Sequence, residues 1–116
     1  MPAPLGGEGS APNPGWFLRA SMAACTATSI AIRAARLGVE LKSLEVSVES
    51  ESDARAVVGI EGISTAMTDM RMSIKIGADN VSEQELREIA EGGNALSAVS
   101  STLRERSPVA VAIEIL

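Results

Sequence analysis

With 116 residues, 46 % of them apolar, the chain is long enough for one domain with a real core. A net charge of −5 with no basic stripe argues against nucleic acid, and zero His with one Cys argues against zinc or haem, so no metal or cofactor is expected. No apolar run approaches the roughly 20 residues that span a bilayer.

One Trp, one Phe and no Tyr leave the core to Ala, Val, Ile, Leu and Met. Such a core lets backbones approach closely but buries less area per residue, so an oligomer is expected. A lone cysteine without a signal peptide reads as a soluble domain in a reducing, cytoplasmic setting.

Residues 1–13, MPAPLGGEGSAPN, have neither a helix nor a strand period and predict an arm; residues 14–116 form the single domain. Within the arm, Gly6-Gly7-Glu8-Gly9 is not a phosphate loop, since no strand precedes it and no Lys-Ser/Thr follows. Asn13 is a helix-capping type and Pro14 suits a first turn, so a helix is predicted over 14–37, with Gly38 as its terminator. Arg19, Thr26 and Arg33 recur every seven residues and predict a solvent-facing stripe. Cys25 lies roughly 120° from that stripe and shares its side with Leu18, Ser21, Met22, Ser29 and Ile32. That places the thiol in a packed, largely buried environment. Numerous alanines from Ala20 to Ala35 widen the region where another element can approach. Trp16 and Phe17, at the helix start, suit core packing, anchorage to a partner surface or the floor of a pocket.

From Leu41 the period changes to two: Leu44, Val46 and Val48 alternate with Glu45, Ser47 and Glu49, as in a half-buried strand. Residues 51–65 suit a strand continuation followed by a turn around Gly59 and Gly62. A second strand over 67–76 puts Met70, Met72, Ile74 and Ile76 on one face, opposite Asp69, Arg71, Ser73 and Lys75. Ser82-Glu83-Gln84-Glu85 is a capping box that starts a helix ending at about Ala90 or Glu91, before Gly92-Gly93. A short helix over 96–104 stops before Pro108, and 109–116 closes the chain as a strand.

Cys25 is the candidate nucleophile. It is the only cysteine, so no disulfide can close within the chain. It lies about three turns from its own helix N-terminus, no His can act as base, and Arg36 is about 16 Å further along. By residue chemistry alone it reads as a small packed hydrophobe. Glu83, Glu85 and Glu88 read as a solvated helix face, and Met67, Met70 and Met72 as core.

Several of these motifs together resemble the OsmC/Ohr family of osmotically inducible and organic-hydroperoxide-resistance proteins. Asn13-Pro14 and Ala23-Ala24-Cys25 stand at the separation of that family's Gly-rich loop, Asn-Pro pair and peroxidatic cysteine. Gly38, the Leu41/Leu44/Val46 strand and the ADNVSEQEL helix opening also match. Ser97-Ala98-Val99-Ser100-Ser101-Thr102-Leu103 resembles the start of the family's last helix. The similarity covers about 110 residues of the chain. It implies an α+β OsmC-like fold: a long central helix on a small, mostly antiparallel sheet, two shorter C-terminal helices and an intertwined homodimer with its sites at the interface. Family members carry strands before the Gly-rich loop, so a smaller sheet is expected here.

The resemblance also implies a chemistry in which a peroxidatic Cys attacks a hydroperoxide, an Arg stabilises its thiolate, a Glu orients that Arg and a second Cys resolves the sulfenic acid. Matched by position, Cys25 is the peroxidatic residue. Ser97 stands where the resolving Cys would be, Gly15 stands where the Glu would be, and the Arg belongs to the N-terminal strands. Two readings follow. In one, Cys25 is a one-Cys thiol peroxidase recycled by an external thiol, with Arg19, Arg36 or Arg71 contributed across the dimer. In the other, activity is weak or lost and an apolar pocket formed by Leu18, Met22 and Ser97 around Cys25 serves a small ligand or an assembly.

Overall fold

The computed structural model describes Glu8 and residues 12–116. The expected N-terminal arm and its glycine cluster lie almost wholly outside the described residues. Helix α1 spans Pro14–Arg36, strand β1 Ser43–Glu51, the single turn α2 Ala54–Val57 and strand β2 Thr68–Gly77. Helices α3 (Glu83–Ala95) and α4 (Ala98–Arg104) follow. This is an α+β fold with one antiparallel two-stranded sheet among the described residues.

The signals at the ends of α1 act as anticipated. The Asn13 side chain accepts a hydrogen bond from the Trp16 N–H, Pro14 occupies the first turn, and Gly38 adopts a φ of +71° just past the Leu37 cap. Strands β1 and β2 pair with Leu44 opposite Ile76 and Val46 opposite Ile74, so their apolar positions share one face. That face, together with Val39 and Leu41, packs on Ile30 and Ala34 of α1 and on Ile89 and Ala90 of α3. Between the strands, the chain makes α2 rather than a strand continuation and turn, because Asp53 caps it by accepting from the Arg55 N–H. The opposite sheet face is solvated, and Arg71 bridges Glu49 and Glu51 there at 3.4 and 3.1 Å.

The inward face of α1 is rotated from the anticipated one, although Met22 is buried as expected. Thr26, predicted to face solvent, is fully buried, in line with Met22, Ile30 and Ala34. Its hydroxyl donates to Asn94 Oδ1 at 3.3 Å and lies 3.4 Å from Ser100 Oγ, which removes the penalty of burying it. Arg19 is half-buried and donates to Ser50 Oγ at 3.0 Å. Arg33 is also half-buried, and its Nε is buried against Gly92 without a hydrogen-bond partner.

Two glycines explain the tight seam. A Cβ on Gly93 would lie 2.6 Å from Ile30 Cα, and a Cβ on Gly92 would overlap the Arg33 guanidinium. The glycines therefore let α1 and α3 approach backbone to backbone. They do not end α3 at residue 90 or 91 as anticipated; the helix runs through them to Ala95. Its Ser82–Glu85 capping box is formed, and Glu83, Glu85 and Glu88 are exposed.

Three further expectations are corrected. The last helix begins at Ala98, because Ser97 caps it and Leu96 closes α3. Residues 109–116 form no strand; the side chains of Val109, Val111, Ile113 and Ile115 are 78–87 % exposed. Trp16 and Phe17 are not core: they stand 49 % and 57 % exposed and meet edge to face, 5.3 Å between ring centroids.

Candidate functional site

Cys25 lies midway along α1, one turn from Met22 and next to the buried Thr26. It is a free thiol and half-exposed, not largely buried as anticipated. The physical reason is the rotation of α1: once Met22, Thr26, Ile30 and Ala34 face inward, Ser21 and Ile32 come out to solvent and Cys25 sits at the border.

What meets Cys25 comes from the far end of the chain. Its thiol pKa is held below the ordinary value, first by the Ser97 hydroxyl and then by the Val99 N–H, against the opposing effect of desolvation, with the Ala98 N–H contributing least. Ala98 and Val99 open α4, so their N–H groups have no partner within the helix and are free to donate to a thiolate. Ser97 is fully buried, and its oxygen also accepts from the Ser100 N–H at 3.4 Å. One hydroxyl can do both, donating its proton to sulfur while a lone pair caps the helix. Ser100 in turn lies against Thr26, which lies against Asn94. A buried chain of polar groups thus ties α1, α3 and α4 together behind the sulfur.

Of the residues singled out from sequence, the structure brings Cys25 and Ser97 together. Met22 is buried and Leu18 half-buried on the preceding turns of α1. Arg19 is directed away from the thiol and toward the hairpin, where it contacts Ser50 Oγ and Met67 Sδ, the latter at 3.8 Å. Gly15 lies in that same corner: a Cβ there would be 3.1 Å from Met67 Sδ and 3.2 Å from the Arg19 guanidinium. Sequence reasoning missed the Ala98 and Val99 amides and the polar chain behind them. The signal was present in Ser97, a capping residue type just ahead of Ala98-Val99.

The described residues hold no cluster of three or more His, Cys, Asp or Glu that could bind a metal, and no helix among them is long and apolar enough to cross a membrane.

The model of the family described as OsmC-like protein matches residues 7–112. The chain belongs to the OsmC-like family. Its fold is similar to that of an organic hydroperoxide resistance protein OsmC from Legionella pneumophila, with a TM-score of 0.63 at 22 % identity over 90 % of this chain and 70 % of that one. It is also similar to an OsmC like protein from Mycoplasma pneumoniae, with a TM-score of 0.68 at 18 % identity over 84 % of this chain and 67 % of that one. No curated protein sequence matches the chain significantly.

Proposed function

We propose that this OsmC-like protein is a one-Cys thiol peroxidase that reduces organic hydroperoxides slowly. The observation that carries this reading is the set of donors around the half-exposed Cys25: the Ser97 hydroxyl and two free amides lower its pKa and enrich the nucleophilic thiolate. The similarity to a protein named for organic hydroperoxide resistance supports the substrate class.

The chemistry runs in three steps. The thiolate attacks one hydroperoxide oxygen; an S–O bond forms, the O–O bond breaks, and the leaving alkoxide takes a proton from water to become an alcohol. Cys25 is then a sulfenic acid. Ser97 cannot resolve it, so an external thiol attacks the sulfur, water leaves and a mixed disulfide remains. A second external thiol releases Cys25 and carries away the other half as a disulfide. Reliance on an external thiol makes turnover slow and suits a reducing, cytoplasmic compartment.

The protein works in this reading as a homodimer, consistent with its small-residue core and with the apolar side chains of Phe17, Ile32, Leu37 and Leu96 left exposed. A second reading, a non-catalytic binder or assembly module on the same fold, is favoured by one observation. No charged group contributes to lowering the thiol pKa, which rests on hydrogen bonds alone.

Treating the protein with cumene hydroperoxide separates the two. Stoichiometric loss of the Cys25 thiol, with slow turnover only when a small thiol is added and none in Cys25→Ser, is expected. A thiol that survives excess hydroperoxide would establish the non-catalytic reading.

A further inference from the structure

At the end of the hairpin, the thioether of Met67 lies among hydrogen-bond donors instead of in the apolar core. Its Sδ is 3.8 Å from Arg19 Nη1 and 3.7 Å from Ser50 Oγ, and Arg19 Nη1 donates to Ser50 Oγ at 3.0 Å. The strand ladder is irregular here: the register slips between Glu49 and Glu51, and Asp69 adopts a φ of +51°. Such a break re-aims side chains. Ser50 of β1 and Met67, just ahead of β2, meet at one corner of α1.

The corner has two properties that packing alone does not require. Arg19 is half-buried, and none of the ion pairs among the described residues includes it, so no carboxylate compensates its charge. Beside it stands Gly15, where a Cβ would lie 3.1 Å from Met67 Sδ and 3.2 Å from Arg19 Nη1. Without that carbon, the sulfur and the guanidinium share an uncovered side. A thioether is a weak acceptor, so the two donors gain little from it as it stands. Oxidation turns the same side chain polar and gives it an oxygen to offer them.

We propose that Met67 is a site of oxygen transfer from hydroperoxides, promoted by Arg19 and Ser50. The sulfur lone pair attacks the terminal peroxide oxygen; an S–O bond forms and the O–O bond breaks. The departing oxygen carries the developing negative charge, which the Arg19 and Ser50 donors stabilise. It takes up the hydroperoxide's own proton and leaves as an alcohol. Met67 is oxidised by two electrons to the sulfoxide, and the hydroperoxide is reduced by two. The new oxygen accepts from Arg19 and Ser50, tying α1 to the hairpin more firmly than the thioether does. A methionine sulfoxide ordinarily disrupts packing; this one meets donors already in place, and methionine sulfoxide reductases can reverse it. No step involves Cys25, so the site does not depend on the peroxidase reading.

Exposure by itself favours oxidation of Met70, which is 37 % exposed, over the half-buried Met67. The full chain carrying Cys25→Ser is treated with tert-butyl hydroperoxide, and each methionine is followed by tandem mass spectrometry. Met67 is expected to gain one oxygen several-fold faster than Met70. Arg19→Gln, which removes the charge, is expected to abolish that lead. Gly15→Ala suits a helical turn but closes the uncovered side, and is expected to do the same. Oxidation of Met70 ahead of Met67, or level with it, overturns the proposal without any substitution in the corner. A lead that survives Arg19→Gln overturns it as well. Thiol loss at Cys25 is read separately in the natural protein, so the peroxidase reading and this one fail independently.

Discussion

The two sides of α1 solve opposite problems with the same kinds of residue. On the inward side, Met22, Thr26, Ile30 and Ala34 meet α3 so closely that glycine is required at position 93, and the one polar member, Thr26, is satisfied by Asn94 and Ser100. On the border side, Cys25 has donors rather than close packing: a buried serine hydroxyl and two free amides. Close packing is concentrated on the first side and the donors to the thiol on the second. The Thr26–Ser100–Ser97 chain of polar groups joins them, so the thiol's environment is only as well defined as the seam behind it.

The largest expected effect comes from emptying the seam. Ile30→Ala removes a fully buried side chain and is expected to cost about 3 kcal/mol, read from urea unfolding. Filling the seam is the next largest. Gly93→Ala forces a methyl group against the Ile30 backbone and is expected to cost about 2 kcal/mol in the same assay.

Ser97→Ala tests the joint between the two sides. Loss of the α4 cap is expected to cost about 1 kcal/mol. The same change raises the Cys25 pKa, because it removes the strongest cause of the lowering. Alkylation of Cys25 at pH 7 should slow several-fold, and the pH midpoint of alkylation should move up toward about 8.5, the value for an ordinary thiol. Stability loss without any shift in the alkylation profile would separate the two sides.

The smallest effect is a pH dependence of folding. A thiol pKa lowered in the folded state contributes stability that is fully present above the unfolded pKa and is lost as pH falls through the folded one. Compared with Cys25→Ser, the natural protein should therefore gain stability slightly as pH rises through the window that ends at about 8.5. Paired denaturation curves at several pH values check the sign.

Much of the scaffold was legible in the sequence for local reasons. Asn13, Pro14 and Gly38 bound α1, the alternation from Leu44 to Val48 and from Met72 to Ile76 marks the hairpin, and Ser82 with Glu85 marks the start of α3. Each signal acts within a few residues of the element it specifies. The site was legible only in part. Cys25 and Ser97 were identified through the family resemblance, whereas residue chemistry read Cys25 as inert by looking only along its own helix.

The sequence by itself therefore determined where α1 lies, which residues alternate along the hairpin and where α3 starts, and that Cys25 is the one cysteine. Tertiary structure alone decided which way α1 faces and what Cys25 experiences. A threonine and two arginines count as outward-facing residues until Asn94 and Ser100 supply the hydrogen bonds that draw Thr26 fully inside, Gly92 supplies the space beside Arg33, and Ser50 and Met67 of the hairpin region meet Arg19. The thiol's donors lie more than seventy residues away along the chain, a separation over which no local pattern carries information and only packing of α4 on α1 brings the groups together.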